Sequence, residues 1–146
     1  LTPKDYYYLL LGQYAQTSRL IDSSSNRGLV VADTNSLVTK AYYDYYLKES
    51  PVQDEETDTF DNLFASILSK EKWDLILFAE PVGAYVNDGF RDMSMADEAI
   101  RSDFSSHLKR LKEQCLAHIP TVYLAGSYLD NYQAAKEAID MIYQAD

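Results

Sequence analysis

Four short segments of this 146-residue chain hold the side chains that could do chemistry. The first is Asp33-Thr34-Asn35, directly after the apolar run Leu29, Val30, Val31, Ala32. An acid at the end of a buried strand is placed either to cap the helix that comes next or to hold magnesium beside a nucleotide. The second, Tyr85-Val86-Asn87-Asp88-Gly89-Phe90-Arg91, packs an aromatic ring, a carboxylate, a flexible hinge and a guanidinium into seven residues. Such a set suits a nucleoside: the ring stacks on a base, the carboxylate accepts from both ribose hydroxyls, and the guanidinium neutralises phosphate. Asn-Asp-Gly is equally ordinary turn chemistry, so a plain surface turn stands beside that reading. The third is Arg101, which with Arg91 flanks residues 92–100, a stretch that reads as a short lid. Mobile arginines serve a transferring phosphoryl group, where charge stabilisation and positioning do most of the catalysis. On a helix surface Arg101 could instead pair with Asp97 at spacing four, for about a few tenths of a kcal/mol. The fourth segment is Gly126-Ser127, the turn after the last apolar run.

The elements that must position these residues are legible as periodicities. Thr2-Pro3 with Asp5 starts a helix that the pattern carries over about residues 4–24, its apolar face Tyr7, Leu10, Leu11, Tyr14, Ser18 and Ile21. Residues 29–32 form a short continuous apolar run, the pattern of a parallel strand covered on both faces. Asn35 or Ser36 caps a second helix to about Leu47; residues 49–59 read as an acidic, solvated loop that includes Asp54, Glu55, Glu56 and Asp58. A third helix carries Phe60, Leu63, Phe64, Ile67 and Leu68, and residues 73–79 make a second strand. After a loop over 80–93, Ser94 caps a helix to about Cys115 with the stripe Ile100, Phe104, Leu108 and Leu111. Residues 121–124 make a third strand, and 128–143 a closing helix. Strands separated by helices predict a parallel α/β sheet with right-handed crossovers, built as one domain over residues 1–146. In such sheets ligands gather at the carboxyl ends of the strands, where three segments meet: Asp33-Thr34-Asn35, the loop over 80–91, and Gly126-Ser127.

Composition narrows the partners. With 47% hydrophobic and 25% charged residues the chain can bury a core, and a net charge of −10 repels phosphate backbones and anionic lipid. Nucleic acid and membrane surface are therefore poor candidates for a main partner. One cysteine, Cys115, cannot close an intrachain disulfide, and with His107 and His118 it makes a poor zinc set. A reducing cytoplasm fits. No apolar run approaches the roughly 20 residues that span a bilayer, and no signal peptide is evident. The tyrosine clusters, Tyr6 to Tyr8 and Tyr42, Tyr43, Tyr45, Tyr46, read as core-edge residues on helices, with an interface or ligand role as the alternative.

Asp33-Thr34-Asn35 with Thr39, the strand at 73–78, the loop at 85–91, Arg101 to Phe104, and Ser127-Tyr128-Leu129-Asp130 with Lys136 together resemble one family. It is the ribosylnicotinamide kinase domain of the bacterial NadR type, and the resemblance runs from about Gln16 to Ile142. It implies a phosphate-loop kinase fold, a three-layer α/β sandwich, that phosphorylates nicotinamide riboside to nicotinamide mononucleotide with ATP and magnesium in NAD biosynthesis. Such domains often stand beside an adenylyltransferase domain and sometimes a DNA-binding repressor region. Carried over, Asp33 would be the catalytic acid serving magnesium or the accepting hydroxyl. Tyr85, where the family usually has tryptophan, would stack on nicotinamide. Asp88, with Asn87 beside it, would hold the ribose; Arg91 and Arg101 would be the lid arginines; Gly126 and Ser127 would approach adenine. Asn35 stands where an aspartate is usual and Asn131 where an arginine begins the last helix.

A phosphate loop needs glycines around a Lys-Ser or Lys-Thr pair. The glycines here are Gly12, Gly28, Gly83, Gly89 and Gly126, and none precedes such a pair. In the family that loop comes after a first strand lying between those at 29–32 and 73–79. The expectation is therefore a carboxyl-terminal portion of the kinase domain that does not turn over ATP alone. Its sheet gap would be closed directly or by a second copy in a homo-oligomer. Two other classes stay open: another small nucleoside or nucleotide kinase of the same fold, and a module that senses pyridine nucleotide or docks a partner without catalysis.

Overall fold

Thr2 opens the first helix, α1 (Pro3–Ser24), through a reciprocal cap: its backbone N–H donates to Asp5 Oδ2 at 2.7 Å and its hydroxyl accepts from the Asp5 N–H at 3.3 Å. The donated Thr2 N–H holds the Asp5 carboxyl below the usual carboxylate range. In the computed structural model, which describes residues 1–24, 28–47, 55–81, 85, 87–89 and 93–144, α1 belongs to one of two compact units, Leu1–Glu71 and Lys72–Asp146.

In the first unit α1 packs with α2 (Ser36–Leu47) and α3 (Glu55–Leu68). The helical period of α1 is as read, but its buried line is Tyr6 and Leu10, while Leu11 and Ile21 are each 40% exposed. The phase is set by α2: the Tyr6 ring meets Tyr43 edge-on at 5.7 Å, and Tyr43 in turn stacks on Phe60 of α3 at 3.9 Å with the planes 6° apart. One member of each tyrosine cluster is thus core. Helix α3 begins at Glu55, so the expected acidic loop is corrected over 55–59. Glu55, Glu56 and Asp58 occupy the first turn, where carboxylates favour the positive end of the helix dipole, and Thr59 Oγ1 donates to Glu55 O at 2.7 Å. Residues 48–54 lie outside the described residues. Lys40 of α2 is the electrostatic centre of this unit. Its ammonium pairs with Asp44 at 2.9 Å and Asp61 of α3 at 3.1 Å, and lies over the Tyr43 and Phe60 rings at 5.0 and 5.7 Å. Burial pushes the Lys40 pKa down, but the two carboxylates outweigh it and raise it above the ordinary lysine value.

The expected first strand at 29–32 is not formed. Two strands are found among the described residues, not three. A strand requires a ladder partner and burial on its faces; Leu29 is 55% exposed and Val31 70% exposed, and neither is paired in a sheet.

The second unit is a β-α-β arrangement with a closing helix. β1 (Ile76–Ala79) pairs in parallel with β2 (Thr121–Leu124), Ile76 opposite Thr121 through Ala79 opposite Leu124. Between them runs α4 (Glu98–Cys115), and α5 (Tyr128–Gln144) comes after β2. β1 is shorter than the expected 73–79, starting where Ile76 N–H reaches Pro120 O at 2.9 Å. Helix α4 starts later than expected: Ser94 lies in a 3-10 turn, Met93–Ala96, and the cap is Asp97, whose Oδ1 accepts from Ala99 and Ile100 N–H at 2.8 and 3.2 Å. Of the predicted α4 stripe, Leu111 is buried and Ile100, Phe104 and Leu108 are half-buried. No helix among the described residues is long and apolar enough to cross a membrane.

Two stability measurements test the first unit. Phe60→Ala, which removes the fully buried ring beneath Tyr43, is expected to cost about 3–5 kcal/mol in urea denaturation. Lys40→Met keeps an aliphatic stem over the rings but removes the charge, and is expected to cost about 1–3 kcal/mol at neutral pH. Because the pKa of Lys40 is raised on folding, its contribution is complete below the ordinary lysine value and is lost as pH rises through the raised one. The gap between wild type and Lys40→Met should therefore close in alkali, and a constant gap across that range would contradict the ion-pair account.

Candidate functional site

Parallel pairing sets the carboxyl ends of β1 and β2 side by side, and Leu124 O accepts the Glu80 N–H at 2.9 Å. The segments that leave the two strands therefore emerge at one edge of the sheet, where α/β proteins hold ligands. At that edge the Glu80 carboxylate pairs with Lys109 of α4 and accepts the Ser105 hydroxyl at 3.4 Å. The Lys109 ammonium also lies over the Phe78 and Tyr123 rings at 5.7 and 5.5 Å, so one cation fastens α4 to both strands. Beside this pair opens a cavity of about 340 Å³, walled by Glu80 and Pro81 on one side and by Glu98, Arg101, Ser102 and Ser105 of α4 on the other. Its lining is polar and carries both charges, chemistry suited to a hydroxyl-rich or zwitterionic ligand rather than an apolar one.

Arg101 stands on the first turn of α4 because Asp97 caps that turn. Its Nη1 donates to Met95 O at 3.0 Å and Ala96 O at 2.8 Å, and its guanidinium carbon lies 5.6 Å from the centre of the Tyr85 ring. Arg101 thus turns back to the 3-10 carbonyls, while the Asp97 carboxylate is engaged in capping. The structure brings the Tyr85 ring beside Arg101, which lines the cavity, although the sequence placed the two on separate elements. Asn87 Oδ1 accepts from Gly89 N–H at 2.9 Å, and Gly89 has φ 82°, left-handed backbone that favours glycine. The segment is a built Asx turn that carries Asp88 exposed at its tip. Arg91 lies outside the described residues. At the end of β2, Ser127 caps α5: its hydroxyl donates to Asp130 Oδ2 at 2.8 Å and accepts the Asp130 N–H at 3.2 Å. Asn131 Oδ1 accepts the Gly126 N–H at 2.9 Å, and a Cβ on Gly126 would come 3.0 Å from the Asp130 Cβ. Gly126 and Ser127 are therefore fixed as the start of α5 and stay exposed.

Asp33 belongs to the first unit, where it is exposed and has no hydrogen-bonding or ionic partner among the described residues. The residue after it, Thr34, has φ 67°, the one left-handed non-glycine conformation among the described residues. For a β-branched side chain this costs about 1–2 kcal/mol. Gln13 of α1 donates to Thr34 Oγ1 at 2.8 Å and accepts the Thr39 hydroxyl of α2 at 3.0 Å. Asn35, where the resemblance expects an acid, uses its Oδ1 to accept the Leu37 N–H at 3.1 Å and so caps α2. Ser36, buried, donates its hydroxyl to Glu71 Oε2 at 2.6 Å.

Two residues are not singled out by the sequence reading. Glu80 opens the loop expected at the ligand edge and carries the same signal as Asp33, an acid directly after the apolar run Leu75, Ile76, Leu77, Phe78, Ala79. Gln13 sends no such signal, since it lies 21 residues from its partner Thr34 and only packing of α1 on α2 joins them. Among the described residues no three His, Cys, Asp or Glu side chains are grouped to hold a metal.

Residues 4–129 match the model of the AAA domain family. No curated protein matches the chain. Among solved structures, the crystal structure of NadR protein in complex with NR is similar to it with a TM-score of 0.74 and 31% identity, over 99% of this chain. This chain spans 38% of the length of that one. Both likenesses agree with the α/β architecture, helices around a short parallel sheet, of the phosphate-loop NTPase kind. The chain belongs to the AAA domain family, and within it resembles the NadR type along nearly its whole length.

Proposed function

We propose that this chain is the carboxyl-terminal portion of a nucleoside kinase domain whose complete form transfers the terminal phosphoryl group of ATP to the ribose 5′ hydroxyl of nicotinamide riboside. The observation that carries the reading is the likeness to NadR bound to NR, taken with a polar cavity on the carboxyl edge of the sheet that Arg101 lines and with the Tyr85 ring against that guanidinium. In this reading Tyr85 stacks on the nicotinamide ring and Asp88, helped by Asn87, holds the ribose hydroxyls. Arg101, with Arg91, supplies positive charge to the phosphoryl group. Asp33 faces the accepting hydroxyl or a magnesium ion, and Gly126 and Ser127 border the adenine. A single carboxylate suits magnesium only in company with nucleotide phosphates and water. The 146 residues hold no Lys-Ser or Lys-Thr loop to cradle those phosphates, so they do not make a triphosphate site by themselves. ATP and magnesium are thus cofactors of the complete domain.

Calorimetric titration of nicotinamide riboside into this chain and into a longer polypeptide that includes a phosphate loop tests the reading. Binding by both, with phosphorylation by the longer one alone, is expected. Tight binding without turnover in either would instead favour a sensor of pyridine nucleotides. Within the longer polypeptide, Tyr85→Ala should weaken riboside binding by about 1–3 kcal/mol, the scale of one aromatic stack. Unchanged affinity would remove Tyr85 from the site.

A further inference from the structure

We propose that Gln13 is a positioning residue for Asp33, acting by locking Thr34 in its left-handed conformation. The inference rests on the reading of Asp33 as the carboxylate that faces the accepting hydroxyl.

Three observations carry it. Thr34 is exposed, so no packing demand selects threonine at a position with φ 67°, where glycine or asparagine would sit more easily. What threonine offers there is its hydroxyl, and that hydroxyl is the group Gln13 grips at 2.8 Å. The other end of the same amide is engaged with the Thr39 hydroxyl of α2 at 3.0 Å, so Gln13 ties α1, the turn and α2 at once. Everything after Thr34 is anchored as well: Asn35 caps α2, and Ser36 is bonded to Glu71.

With the downstream side fixed, the φ torsion of Thr34 sets the direction in which the chain before it leaves the turn. Relaxing it from 67° to the ordinary right-handed region would swing Asp33 about the Thr34 N–Cα bond by roughly 130° relative to α2. Strain of this kind persists only where the surroundings over-determine it. Here the surroundings include one amide whose removal leaves the rest of α1 intact. Asp33, itself without a partner among the described residues, has its carboxylate aimed by its neighbour's backbone and not by bonds of its own.

The test uses the complete protein that carries this chain, assayed for ATP-dependent phosphorylation of nicotinamide riboside. Gln13→Ala should lower kcat about 10- to 100-fold, the effect of misaiming a reacting group, with KM for the riboside nearly unchanged. Thr34→Asn added to Gln13→Ala should restore most of that loss, because asparagine holds the left-handed turn without the clamp. In this chain alone, Gln13→Ala should speed amide hydrogen exchange at Thr34 and Asn35 while leaving the middle of α1 protected. A kcat within about twofold of wild type in Gln13→Ala, alongside an Asp33→Asn variant that has lost turnover, would overturn the proposal and spare the reading of Asp33. A loss in Gln13→Ala that Thr34→Asn does not repair would also overturn it. Full turnover in Asp33→Asn would instead overturn the reading of Asp33, and the proposal with it.

Discussion

Parallel pairing of β1 with β2 is the constraint on which the candidate site depends. Parallel strands cannot be joined by a tight turn, so the chain must cross over between them, and α4 is that crossover. The same geometry sends the residues after each strand out at one edge and lays the amino-terminal half of α4 beside them. Glu80 and Arg101 therefore line one cavity, and the Gly126-Ser127 turn leaves from the same strand edge as Glu80, although up to 47 positions separate these residues in sequence. The Lys109 ammonium adds specificity to this arrangement, since it meets Glu80, Phe78 and Tyr123 at once and fixes which face of α4 is turned to the sheet.

In each unit the polar residues singled out for function mostly do structural service first. Asp97, Asn35, Ser127 and Asn87 each satisfy backbone N–H groups at a helix start or turn. Leaving such donors unmet would cost stability, and the caps use side chains of the same kinds that a nucleoside would need. Asn35 illustrates the division of labour. At the position where the resemblance implies an acid, this chain has an amide whose carbonyl oxygen is spent on α2, and the charge at the turn is left to Asp33. Arg101 is similar: two backbone carbonyls and one ring hold its guanidinium in a set direction.

The buried core of the first unit and its strained turn are separate. Its core is an aromatic stack, Tyr6 on Tyr43 on Phe60, closed by a lysine that neutralises carboxylates from two helices. The energetic cost is placed elsewhere, at Thr34, on the exposed turn next to Asp33. A turn under strain survives because the helices on either side of it are joined by that core, and because Gln13 bonds across both.

Helices were the most legible part of the chain, because a 3.6-residue period and a local cap are written in adjacent residues. The span of α2 and the start of α5 are readable directly from Asn35 and Ser127. The family resemblance was legible too, since Asp33-Thr34-Asn35 and the 85–91 loop are contiguous strings. Tertiary structure decided what depends on distant partners. The phase of α1 was settled by Tyr43 of α2, so Tyr6 and not Leu11 became core. The 29–32 run reads as a strand but has no ladder partner, and a strand exists only when another backbone pairs with it. The acidic 55–58 segment looked like loop because charge hides periodicity, yet carboxylates stabilise a helix start. The Gln13 grip on Thr34 had no trace in the sequence: a hydrogen bond between two polar side chains 21 residues apart depends on how two helices pack, which no local pattern records.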